Sequence, residues 1–150
     1  DVRQVRVSGL IPPESFDLVL ANPPYRGSSQ GRLSPSEGRR DARTEARAEL
    51  GDFVRAASYA AQNKGQVFLI YLAERLQLLL QELASSRLEP KRLRQVQGKP
   101  GRSARQVLVE ARKNAGPGLE LEPPLILHQE RDSSLTRQAL RFCPFLQCNP

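Results

Sequence analysis

Asn22-Pro23-Pro24-Tyr25 is the stretch of this chain whose residue types and order converge on one chemical task. An amide side chain such as that of Asn22 accepts a hydrogen bond from an NH2 group. Pro23 fixes the turn, so that its own carbonyl can accept the other amino hydrogen. Accepting both hydrogens concentrates lone-pair density on the nitrogen as it attacks an electrophile. That stabilisation grows toward the transition state, which is the condition for catalysis. Tyr25 offers a ring to stack on the planar group that bears the amine, and Pro24 completes the sharp turn. The candidate catalytic residues are Asn22, Pro23, Pro24 and Tyr25. No general base of normal strength accompanies them, and none is needed if the proton leaves after transfer.

The elements around the motif are those that would place it at a sheet edge. Phe16 to Ala21 (FDLVLA) is a short, nearly continuous apolar run, which predicts a buried strand. Two prolines cannot continue a central ladder, so the strand stops at the motif. Arg26 to Arg47 is rich in Gly, Ser, Pro and Arg and reads as a long loop, a length that is usually functional or disordered. Asp52 is placed to cap a helix through Phe53, Val54, Ala57, Tyr59, Ala60 and Ala61. Asn63-Lys64-Gly65 then stops it, with the glycine suited to a left-handed conformation. Gln66 to Leu72 (QVFLIYL) predicts a second buried strand, and from Glu74 a helix buries Leu76, Leu79, Leu80 and Leu83 on one face. Leu88 to Val96 reads as a strand that Pro90 demotes to an edge. Ser103 to Ala111 reads as another, joined to it by the turn Gly98 to Arg102, and Leu125 to His128 as a short last one. Strands separated by helices imply a mostly parallel sheet, and the hairpin requires one strand to run antiparallel. No internal repeat is present.

At 150 residues and 39% hydrophobic the chain has the size and apolar content of one domain. No apolar run approaches the roughly 20 residues that span a bilayer, and the N-terminus lacks a signal-peptide pattern. A cytoplasmic location is the expectation. The two cysteines, Cys143 and Cys148, lie in the last few residues, and His128 is the single histidine, so no metal site is expected. A net charge of +7 favours a polyanionic partner. The cations cluster. Arg87, Lys91, Arg92, Arg94, Lys99, Arg102 and Arg105 face the single acid Glu89, and a second group, Arg26, Arg32, Arg39, Arg40, Arg43 and Arg47, is partly offset by Glu37, Asp41 and Glu45. Arg26, Arg32, Lys91, Arg92 and Arg94 are the candidate contacts to such a partner, and an RNA is the partner the resemblance below implies for them. The chain opens at Asp1 and contains no methionine, which reads as a fragment.

Asn22-Pro23-Pro24-Tyr25 preceded by FDLVLA resembles the catalytic motif of the class I amino-methyltransferases. Gly31-Arg32-Leu33-Ser34-Pro35, Ala46-Arg47-Ala48-Glu49, Ala73-Glu74-Arg75-Leu76, LEPKRLR from Leu88 to Arg94, Val107 to Ala111 and Glu122-Pro123-Pro124-Leu125 extend the likeness. Together they are similar to the bacterial adenine-N6 methyltransferases that act on valine tRNA. The resemblance implies an α/β fold: the C-terminal half of a doubly wound, mostly parallel Rossmann-like sheet that ends in an antiparallel hairpin. It implies S-adenosylmethionine as donor, bound through Asp1 and Asn22, and a tRNA adenine beside the anticodon as target. Residues 1–140 would form the C-terminal part of the domain, without its donor-binding half, and 141–150 a tail. The family's glycine-rich turn after a first strand has no counterpart here, and Gly98-Lys99-Pro100-Gly101 is not a phosphate loop, because neither Ser nor Thr follows the lysine. Gln97-Gly98 stands where the family often has His-Pro. Related enzymes that methylate a release-factor glutamine use the same four residues, so glutamine stays open as acceptor, as do DNA, a small molecule and a non-catalytic RNA-binding module.

Overall fold

A computed structural model describes residues 2–5, 9, 11–25 and 50–145. Strand β1 (Phe16–Ala21), helix α1 (residues 50–60), β2 (Ala61–Leu72), α2 (Leu76–Ser85), β3 (Leu88–Gln97), β4 (Gln106–Lys113), β5 (Glu120–Ile126) and α3 (Arg137–Phe142) follow one another. The predicted loop from Arg26 to Arg47 lies outside the described residues.

The strands form one sheet in the order β1-β2-β4-β3-β5. β1 pairs parallel with β2 and β3 parallel with β5, while β4 runs antiparallel to both of its neighbours. Four strands therefore point one way, with β4 inserted against them. The α/β architecture and closing hairpin are as the sequence implies, and β5 is longer than the expected Leu125–His128.

One face of the sheet is closed. Val67, Leu69 and Tyr71 of β2 and Val107, Val109 and Ala111 of β4 share a core with Leu50, Val54 and Ala57 of α1 and Leu79 and Leu83 of α2. Leu79 and Leu83 are fully buried, and Leu76 and Leu80 pack against the cluster, which is the helical stripe read from their spacing. Burying each leucine stabilises the fold by about 1.5–3 kcal/mol.

Several local expectations are corrected. β1 is not a buried strand: it is an edge among the described residues, and Phe16, Leu18 and Leu20 are exposed on the face away from α1 and α2. Asp52 does not cap α1, because the helix already includes residues 50 and 51, and its carboxylate pairs with Arg55 one turn on. β2 begins directly at Ala61, and the positive φ of 65° belongs to Lys64, not Gly65. Gly65 is required by space, since a Cβ there would stand 2.9 Å from the Gln62 carbonyl oxygen and 3.1 Å from that of Phe16. β3 is interior rather than an edge. Pro90 is tolerated because the β3–β4 register shifts between Pro90 and Arg92, and β5 pairs only from Arg92 onward.

The ends of two helices are satisfied by side chains. Lys113 Nζ, largely buried, donates to the carbonyls of Ser58 (2.6 Å) and Ala61 (3.0 Å) at the end of α1 and pairs with Glu14. Thr136 Oγ1 accepts from Ala139 N at 3.0 Å and caps α3.

Candidate functional site

The motif leaves β1 at its C-terminal end, on the sheet edge where β2 and β3 also finish. Asn22 is exposed there, Pro23 is fully buried, Pro24 is exposed and Tyr25 is half-buried. The fixed φ of a buried proline anchors the turn, so the neighbouring amide stands outside on a rigid mount.

Tyr25 is held by two residues that the sequence did not single out. Its ring meets the ring of Tyr71 edge-on, with centroids 6.1 Å apart and planes at 63°. Its hydroxyl accepts a hydrogen bond from Gln106 Nε2 at 3.1 Å. Gln106 is the first residue of β4 and pairs with both Leu72 of β2 and Val96 of β3, so its backbone is fixed from two sides. The Tyr71 hydroxyl is buried without a hydrogen-bond partner, as is Nη1 of Arg75 just past β2. No local pattern marks Gln106, and Tyr71 reads as one more member of an apolar run.

Beside Asn22 an open cleft of about 470 Å³ is lined by Leu20, Ala21, Phe68, Ile70, Leu108 and Phe142. It lies on the sheet face that α1 and α2 leave uncovered. Its wall is apolar, with the Asn22 amide at one end.

The cations of β3 are committed within the sheet. Glu110 is almost fully buried and accepts from Arg92 Nε at 2.5 Å, Gln66 Nε2 at 2.9 Å and Arg112 Nε at 3.2 Å. Burial pushes its carboxyl up, but the hydrogen bonds from Gln66, Arg92 and Arg112 outweigh that and hold it below the ordinary glutamate value. The same hydrogen bond and charge raise the Arg92 guanidinium above its ordinary value. Arg92 also reaches Glu122 at 3.1 Å, and Arg94 donates to the Pro123 carbonyl and lies 5.7 Å from the centroid of the Phe142 ring. Lys91 Nζ donates to the carbonyl of Gly116 at 3.0 Å. These three side chains thus brace the sheet and the β4–β5 loop, a use that the one-sided charge count of the segment conceals.

The cations that do stand at the edge with Asn22 belong to the β3–β4 turn. Lys99, Arg102 and Arg105 lie between the end of β3 and Gln106, and Arg102 and Arg105 are exposed, with no ion pair among the described residues. Asp1, Arg26 and Arg32 lie outside the described residues.

No protein-family model matches this chain, and no curated protein does. Solved structures do. A protein from Agrobacterium tumefaciens described as a predicted O-methyltransferase superposes with a TM-score of 0.72 at 24% identity, over 99% of this chain and 60% of that one. A candidate DNA modification methylase from Thermus thermophilus, complexed with S-adenosyl-L-methionine, gives 0.58 at 15% identity, over 77% and 54%. A modification subunit of a type I restriction system from Vibrio vulnificus gives 0.51 at 10% identity, over 91% and 32%. The chain spans 60% or less of the length of each. The fold matches a part of these methyltransferase structures, a single α/β sheet in which β4 runs against its neighbours.

A sulfonium nucleoside donor needs polar partners for its ribose and amino-acid groups and an apolar wall beside its methyl group. Among the described residues, Asn22 supplies an amide and Leu20 and Ala21 an apolar flank. These residues fit one side of such a donor.

Proposed function

We propose that this chain carries the acceptor side of an S-adenosylmethionine-dependent amino-methyltransferase that modifies the N6 of an adenine in RNA, with tRNA as substrate. The observation that carries the reading is Asn22, exposed at the C-terminal end of β1 in a methyltransferase sheet, with Tyr25 tethered just beyond it. Ligands of open α/β sheets bind beyond the carboxyl ends of the strands. This part of the domain runs through α3, two residues beyond the expected boundary at 140, because Phe142 lines the cleft beside Asn22.

Asn22 Oδ1 accepts one hydrogen of the adenine amino group and the Pro23 carbonyl accepts the other. Pro23 and Pro24 keep the two acceptors in fixed relation, and Tyr25 stacks on the base. S-adenosylmethionine, when bound, supplies an electrophilic methyl group, and Asn22 and Asp1 are the residues of this chain that would hold it. The residues of the turn hold the amino nitrogen in line for transfer, so positioning supplies much of the acceleration. The proton leaves the nitrogen after its lone pair has reacted, and no strong general base is required. An adenine must leave its stack to reach Asn22, which is least costly in an RNA loop.

The net charge of +7 and the edge cations Lys99, Arg102 and Arg105 support a nucleic acid over a glutamine-bearing protein. The test offers the full-length protein tRNA, duplex DNA of matched length and a release factor, each with radiolabelled donor. Label in tRNA alone is the expected result. Label in DNA or in the release factor instead would replace the acceptor while keeping the chemistry.

A further inference from the structure

The proposed function uses the ring of Tyr25 but does not say what sets its plane. A tyrosine on a turn has two free side-chain torsions, and a stacking platform is useful only if both are fixed before the base arrives. Tyr71 limits the ring from its edge, at 6.1 Å and 63°. An edge contact alone permits rotation about the ring axis and sliding. The hydroxyl contact removes that freedom, because Gln106 Nε2 donates to it at 3.1 Å from a backbone locked between β2 and β3.

We propose that Gln106 is a positioning residue that fixes the plane of Tyr25 for an aromatic acceptor. The proposal rests on the acceptor reading above. Gln106 touches neither acceptor nor donor; it acts through the Tyr25 hydroxyl. The inserted strand β4 thereby serves the site directly, since its first residue reaches across β2 to the end of the motif. The unpartnered hydroxyl of Tyr71 marks the same spot as one where a polar group is kept dry beside the platform.

The experiment uses full-length protein and a short single-stranded RNA with 2-aminopurine in place of the target adenine, whose fluorescence falls on stacking. Gln106→Leu is expected to weaken binding and quenching roughly three- to tenfold, the worth of one neutral hydrogen bond. Gln106→Glu, whose carboxylate accepts from the Tyr25 hydroxyl, is expected to restore most of it. In a Tyr25→Phe background the hydroxyl is gone, so adding Gln106→Leu should do nothing more. An equal loss in both backgrounds would overturn the proposal, because Gln106 would then act by supporting the fold at large. Tyrosine ring resonances of the free protein give a readout that needs no RNA. A shift of the Tyr25 signals in Gln106→Leu supports the positioning role even if the RNA is not bound, an outcome that would sink only the acceptor reading. Unmoved Tyr25 signals would overturn the positioning role itself.

Discussion

Asn22 is exposed at the end of β1, and Pro23 beside it is fully buried. The pair converts a strand end into a fixed mount: one residue is anchored in the body of the fold, and the next presents its amide outward. Replacing Pro23 by alanine should therefore disturb stability and geometry together. The ring leaves a small void, and the freed φ adds conformational entropy to the unfolded chain. Pro23→Ala is expected to cost about 1–2 kcal/mol, read from the urea unfolding midpoint. A midpoint equal to wild type would mean that the turn is held by its neighbours and not by the proline.

The Glu110 network makes a pH-dependent contribution of known sign. Its carboxyl is held below the ordinary value by Gln66, Arg92 and Arg112, so the ionised form is favoured by folding. That stability is complete above the ordinary glutamate value of about 4.3 and is lost as pH falls through the lower folded value. Denaturant midpoints measured from about pH 7 down to about pH 3 should fall less steeply for Glu110→Gln than for wild type. Parallel profiles would show that Glu110 takes no part in the acid response.

The two groups of cations should separate in their effects. Replacing Lys99, Arg102 and Arg105 by alanine is expected to weaken RNA binding and flatten its salt dependence by up to about three phosphate contacts. Arg92→Ala and Arg94→Ala should chiefly lower stability, because both side chains are engaged with Glu110, Glu122 and the Pro123 carbonyl. Binding titrations at several salt concentrations distinguish the two. A salt slope that responds to Arg92 and Arg94 but not to the turn would reverse the assignment.

What could be read from the sequence was whatever local chemistry decides. The proline pair had to end β1, and the leucines of α2 had to share a face, and both hold in the fold. That one strand runs antiparallel followed from a hairpin-length turn between two predicted strands. Pairing across the chain was not legible. The basic look of β3 concealed partners on β4 and β5, because Glu110 and Glu122 are distant in sequence from Arg92. Likewise nothing near Gln106 connects it to Tyr25, which is 81 positions away. β1 misled because an apolar strand reads as buried whether or not its outer neighbour is present.

That last difference has a consequence in solution. Phe16, Leu18 and Leu20 are exposed along a strand whose outer edge carries no ladder among the described residues. Unpaired backbone next to apolar side chains is a template for association. The 150-residue chain is expected to self-associate, and Leu20→Lys, at the most exposed of the three, should reduce it. Light scattering over a concentration series decides this. A monomer at all concentrations would show that the edge is covered.

The central claim is that Asn22 orients an adenine amino group for methylation. Nucleoside mass spectrometry of tRNA treated with full-length protein and S-adenosylmethionine tests it most directly. The account predicts N6-methyladenosine from wild type and a rate lower by roughly 10²-fold or more for Asn22→Ala, the usual effect of losing one pre-organised transition-state partner, with RNA affinity little changed. Near-normal N6-methyladenosine from Asn22→Ala, or a methyl group found on another atom, would contradict it.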